Sequence, residues 1–146
     1  MGFEPPDAVE VKKAEGKGLG VFARRPIGKG ELIERAPVLL MSDKEYCSGV
    51  DKTLLAGYVF AWGEGQIALV LGFGSIYNHS YKPNARYDDD ADEPKAKEYI
   101  AIRDIAAGEE ITINYNGSPT SRAKVWFDVV KEPPKISARR KAKSSG

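Results

Sequence analysis

A single cysteine, Cys47, and a single histidine, His79, stand in a chain of 146 residues. The pair cannot complete a tetrahedral structural zinc site, and one cysteine cannot close an intramolecular disulfide. No metal is expected, and so sparing a use of cysteine fits a reducing compartment. No stretch approaches the ~20 consecutive apolar residues of a membrane-spanning helix. The first residues, "MGFEPPDAVEVKK", carry acids and prolines where a secretory leader would be basic and then apolar. Pro6 stands where a myristoylation pattern needs serine or threonine. Excess charge of one sign is also missing: the net charge is +1, so direct nucleic-acid binding is not expected. A soluble, intracellular protein with no membrane partner is expected, with cytoplasm and nucleus left undistinguished.

What is present suits one globular domain. Hydrophobic residues make up 42% and charged residues 29%, and a chain this long can bury a core without a staple. Short strands bounded by glycine or proline dominate the first third: "AVEVKK", "GVFARR" and "ELIERAPVLLM", the last bending at Pro37. Ser42 with Glu45 three residues on predicts a capping box and one or two helical turns over "SDKEYCSG". "DKTLLAGYVFAW" reads as helix or strand, and "QIALVLGFGSIYN" as a buried strand entering a glycine-loosened turn. "EYIAIRDI" and "EEITINY" flank "AAGE" with strand-turn-strand grammar. An internal echo, R-x-I-x-x-G-E-x-I, joins 25–33 to 103–111, as one tight turn used twice or as a duplicated functional element. "DDDADE" (88–93) is a solvated loop or a dock for a basic ligand. From Lys131 to Gly146 there are six basic residues and one acid, expected to form a disordered tail.

Several groups could carry chemistry, each with a plainer alternative. Gly18 and Gly20 surround Leu19, but a dinucleotide loop must open a helix and "VFA" is strand-like, leaving a turn or a ligand-facing backbone. His79 is a general base or a structural histidine. Ser80 beside it would point to the opposite face of a strand, so a serine triad is not expected. Tyr58, Tyr77, Tyr81, Tyr87 and Tyr115 are divided between core and site. Trp126-Phe127 caps the core or covers a flat ligand.

In order, "GKGLGVFARRPIGKGELI", "GFGSIYNHSYKPNARY" and "IAAGEEITINYN" resemble a SET domain, closest to the small viral-type SET proteins. The joint match spans roughly residues 9 to 116, and joint occurrence makes it specific. The resemblance implies a mainly β, β-clip-like fold of short strands with a knot-like crossing and one or two short helices. Residues 1–130 would form the domain, with 131–146 as the tail.

It also implies a protein-lysine N-methyltransferase that takes a methyl group from S-adenosylmethionine. Its partner would be a protein or peptide, such as a histone tail, and a homodimer is expected as in small relatives. On that pattern Lys17, Gly18, Leu19, Gly20, Asn78 and His79 hold the cofactor, and Trp126 covers its adenine. Tyr115 would be the catalytic tyrosine, while Tyr58 and Tyr87 line the lysine channel. His79 would then be a packing residue. Three departures are visible: Tyr81 for a frequent cysteine, Asn114 for a frequent aspartate, and no cysteine-rich segment after the domain. A non-catalytic SET-like module binding a peptide or S-adenosylmethionine is the alternative.

Overall fold

A computed structural model describes residues 2–123, so Trp126, Phe127 and the 131–146 tail lie outside the described residues. The strands are β1 (Val9–Ala14), β2 (Gly18–Ala23), β3 (Leu32–Ser42), β4 (Val59–Trp62) and β5 (Gln66–Val70). They continue with β6 (Asn78–His79), β7 (Ala85–Asp90), β8 (Ala96–Ala101) and β9 (Glu110–Ile113). One short helix, α1 (Asp43–Cys47), and two 3-10 turns, Val50–Lys52 and Leu54–Gly57, fill the space between β3 and β4.

Two sheets result, with orders β1-β2-β9-β6 and β4-β5-β3-β8-β7. β3 changes partner at its proline: Leu32–Pro37 pair with β8 and Val38–Ser42 with β5. Proline has no N–H to give a ladder, so a change of partner suits it; its carbonyl is still used, by Leu71 N at 2.9 Å. The capping box forms as the spacing predicts: Glu45 N donates to Ser42 Oγ at 3.0 Å, and Ser42 N to Glu45 Oε1 at 2.8 Å. The ambiguous 51–62 stretch is both things in turn, two 3-10 turns and then β4.

The strand-turn-strand reading over 98–115 holds for its elements, β8 and β9, which lie in different sheets. The intervening turn pairs instead with its echo. Ile27 and Ile105 exchange backbone hydrogen bonds at 2.9 and 2.8 Å. Gly30 N donates to Ala101 O and Gly108 N to Ala23 O, both at 2.8 Å. Each turn is closed by an ion pair, Arg25–Glu31 at 2.7 Å and Arg103–Glu109 at 2.8 Å. Gly30 and Gly108 sit at φ 87° and 86°, where a side chain would be strained. One tight turn is thus used twice, and the two copies brace the sheets against each other.

The main core lies between the sheets, with Val21, Ile27, Ile33, Tyr77, Tyr99, Ile105, Ile111 and Ile113 all buried. A smaller cluster of Tyr46, Ala56, Val59 and Ile67 sits under α1. Buried Glu34 clasps the turn before β6. It accepts from Phe73 N at 2.9 Å and from the Tyr77 hydroxyl at 2.7 Å. Burial pushes its carboxyl above the usual range, and those two donors oppose the shift.

The acidic run divides: Asp88, Asp89 and Asp90 are strand residues on β7, each in an ion pair, while residues 91–93 leave the strand as an exposed loop of the kind expected. Arg86 pairs with Asp88, Lys97 with Asp89, and Arg35 with both Asp90 and Glu98. Asp89 and Asp90 thus meet cations that the sheet brings from β8 and β3, while Asp88 meets Arg86 of its own strand.

Candidate active site

β9 runs between β2 and the two-residue strand β6, whose Asn78 and His79 pair in parallel with Thr112 and Ile113. The following segment continues along the same edge, with Ser80 N donating to Ile113 O at 2.9 Å. Asn84 completes that edge with its side chain. Its Oδ1 accepts from Thr112 N at 2.8 Å, while Nδ2 donates to Glu110 O at 2.7 Å. This crossing brings 17–20, 78–79 and 110–115 together.

On the β2 side, the Asn78 amide donates to Leu19 O at 2.9 Å and to Glu110 Oε2 at 2.8 Å. Lys17 Nζ reaches Glu110 Oε1 at 2.8 Å. Gly18, at φ 77°, bends the backbone into the strand. Gly20 is needed for closeness: a Cβ there would stand 2.6 Å from Glu110 Oε2 and 3.1 Å from Asn78 Nδ2. Leu19 between them is exposed. One ammonium, one carboxylate and one carboxamide within hydrogen-bond reach complement a zwitterionic α-amino-acid end, which is the chemistry of the implied cofactor's methionyl part.

On the other side, Tyr115 is held at both ends. Its backbone N–H donates to His79 Nδ1 at 3.0 Å, and its hydroxyl donates to Tyr77 O at 2.7 Å. His79 is buried, with the Tyr81 ring edge-on at 4.6 Å. Burial first, and the Lys17 charge second, lower its pKa to about 4. At neutral pH it is uncharged, and its Nδ1 is committed to the Tyr115 amide, which suits a residue that holds the backbone in place. Tyr81 also donates to Ala123 O at 2.9 Å. Asn114 is an amide for a reason: Nδ2 donates to Ser121 O at 2.8 Å while Oδ1 accepts from Asn116 N at 3.0 Å. An aspartate there could not donate.

The tyrosines divide as follows. Tyr77 is core, stacked on Tyr99 at 4.2 Å. Tyr87 and Tyr115 are partly buried at the core's edge, and the Tyr87 hydroxyl lies 3.4 Å from Tyr115 O. Phe60 meets Tyr87 edge-on at 5.5 Å. Tyr58, partly buried, stands just before β4 and its carbonyl accepts from Ser75 Oγ at 2.9 Å. Among the described residues no cluster of His, Cys, Asp or Glu could hold a metal ion.

Glu110 is the residue missed from the sequence. The signal was the point where the echo breaks: the first copy has Leu32 where the second has Glu110. Glu34, Asn84 and Lys97 were missed too, because nothing local marks a polar residue as buried.

The SET domain family model matches residues 18–116. A histone-lysine N-methyltransferase of Schizosaccharomyces pombe, H3 lysine-37 specific, is 36% identical over 120 residues, 82% of this chain and 77% of that protein. A solved structure of a Plasmodium falciparum protein, provisionally named a histone methyltransferase, superposes with a TM-score of 0.64 at 29% identity. That match covers 79% of this chain and 96% of the other. Apo ctPRC2 with mutations in Ezh2 gives a TM-score of 0.61 at 26% identity, over 75% of this chain and 15% of that one. The family match runs from the glycine strand to the residue after Tyr115 and so encloses the whole crossing; the chain belongs to the SET-domain family of protein-lysine methyltransferases.

Proposed function

We propose that this protein methylates a lysine of a histone tail from S-adenosylmethionine, with Tyr115 at the junction of cofactor and lysine and with Tyr58 and Tyr87 along the channel. The observation that carries this is the double anchoring of Tyr115. His79 Nδ1 holds its amide and Tyr77 O holds its hydroxyl, which keeps the phenol beside Asn78-His79. The S. pombe relative, named for a histone lysine, supplies the substrate class.

S-adenosylmethionine supplies a sulfonium-borne methyl group. Lys17, Asn78 and Glu110 bind the charged end of that molecule, and the 17–20 backbone lines its side. A free lysine at pH 7 must shed its proton, at a cost of roughly 4.6 kcal/mol from a pKa near 10.4. Aromatic walls disfavour the ammonium and reduce that cost without a dedicated base. Holding amine and methyl in line contributes on the order of 7–11 kcal/mol, so positioning outweighs acid–base work. Because the Tyr115 proton is committed to Tyr77 O, its oxygen lone pairs are left to orient the acceptor amine and the polarised methyl.

Mass spectrometry of core histones incubated with isotopically labelled cofactor tests the reading. Label on lysine is expected, and tight cofactor binding without transfer would establish the non-catalytic module instead. Tyr115→Phe should keep cofactor affinity while kcat falls by up to about a hundredfold, the cost of lost positioning; transfer at the parent rate would remove Tyr115 from the chemistry. Sedimentation equilibrium checks the homodimer that the resemblance implies.

A further inference from the structure

Lys97 points inward from β8, and its side chain is only 1% exposed. Its Nζ lies over three rings, 4.6 Å from the centroid of Tyr87, 4.7 Å from Phe60 and 5.7 Å from Trp62. Asp89, directly across the β7–β8 ladder, is its ion-pair partner. The two charges are not equally screened, because the Asp89 side chain is 39% exposed. Water therefore damps the carboxylate far more than the enclosed ammonium, and the field on the ring side is positive. Among the described residues, the titratable neighbours on this face include Tyr87 on β7, Tyr99 on β8 and Glu34 on β3. The Glu34 carboxyl is engaged by Phe73 N and Tyr77, and β4 contributes only apolar rings.

We propose that Lys97 is a specificity-determining residue: its ammonium, held behind Tyr87 by Phe60, Trp62 and Asp89, makes the acceptor channel prefer the neutral amine over the ammonium. It acts through Tyr87. A cation on the face of that ring draws density from it, so the ring and its hydroxyl stabilise a second positive charge less well. The inference rests on the channel reading given above.

Binding in the presence of S-adenosylhomocysteine reads this without turnover. Two histone H3 peptides spanning lysine-37 are compared by calorimetry, one with the lysine and one with norleucine in its place; a different lysine labelled in the incubation above would define the pair instead. The ratio of Kd for the lysine peptide to Kd for the norleucine peptide should fall about fivefold in Lys97→Met, the size of one cation–ring interaction. It should rise in Asp89→Asn, which removes the opposing charge. Loss of packing would move both variants the same way, so opposite shifts identify the electrostatic role. A ratio unchanged in both, or moving together, overturns the proposal. If Lys97→Met does not fold, Asp89→Asn decides alone, and the absence of a rise overturns it. Failure of the parent to label any lysine overturns the channel reading itself, and this inference with it.

Discussion

His79 has its Nδ1 occupied by the Tyr115 amide and the edge of Tyr81 against its ring, so protonating it costs a hydrogen bond as well as the burial of a charge. Its folded pKa of about 4 lies below the ordinary 6.5. The neutral ring therefore contributes stability that is full above about pH 6.5 and is lost as pH falls from there towards 4. Urea midpoints measured between pH 4.5 and 7.5 should show that slope, and His79→Asn, whose Oδ1 can accept the same N–H, should flatten it. An identical slope in both proteins would place the titration elsewhere. Activity should rise steadily with pH, with no inflection near 6.5 from this residue. If Tyr87 lines the proposed channel, Tyr87→Phe should raise the methylation state of the product, since the lost hydroxyl would widen it beside Tyr115; an unchanged product ladder by mass spectrometry would remove Tyr87 from that role. Tyr115, Asn78 and the glycine pair could be picked out from motif order alone. Glu110 was marked only by the break in the echo, and Lys97 by nothing local, since the rings that bury it come from β4 and β7.

At the scale of elements, the turns at Gly30 and Gly108 are close copies in φ, ion pair and cross-hydrogen bond. Gly30→Ala and Gly108→Ala should each cost on the order of 1–2 kcal/mol, the penalty of a left-handed alanine. The two losses should agree, and a large loss at one with none at the other would deny the equivalence. Such turns were legible because glycine and proline act locally, and so was α1, whose cap lies within four residues. Two kinds of element were not. β6 has two residues, too few for any periodicity to register. The alternation in "EYIAIRDI" and "EEITINY" is real, but alternation says which face a side chain takes and not which sheet its strand joins. The likeness of 103–111 to 25–33 was the better guide, since a turn that resembles another can pair with it. Asp88–Asp90 misled for a related reason: strand neighbours alternate between faces, so three consecutive acids can meet three different cations.

Across the whole molecule, the two sheets share one core and are tied at several points: Ile27 to Ile105, Asn84 to β9, and Glu34 to the turn that leads into β6. No sheet keeps its apolar face covered alone. Urea unfolding followed by tryptophan fluorescence, which includes Trp62 on β4, should therefore coincide with unfolding followed by far-ultraviolet circular dichroism. Two separated transitions would show that the sheets melt independently. The mainly β architecture was readable from the density of short alternating runs, whereas the crossing came only with the family resemblance, because it depends on order in space.

The brace between the echoed turns has a kinetic side. Lys29 N donates to Asp104 Oδ1 across 75 positions of chain, and a contact of that span cannot form until a large loop has closed. Closure entropy grows only logarithmically with loop length, so the brace costs the native state little, yet topologies dominated by distant pairings assemble slowly. On a ribosome the first half of the chain must wait, with β2 and β3 made but their joint unsealed, until the second copy of the turn emerges.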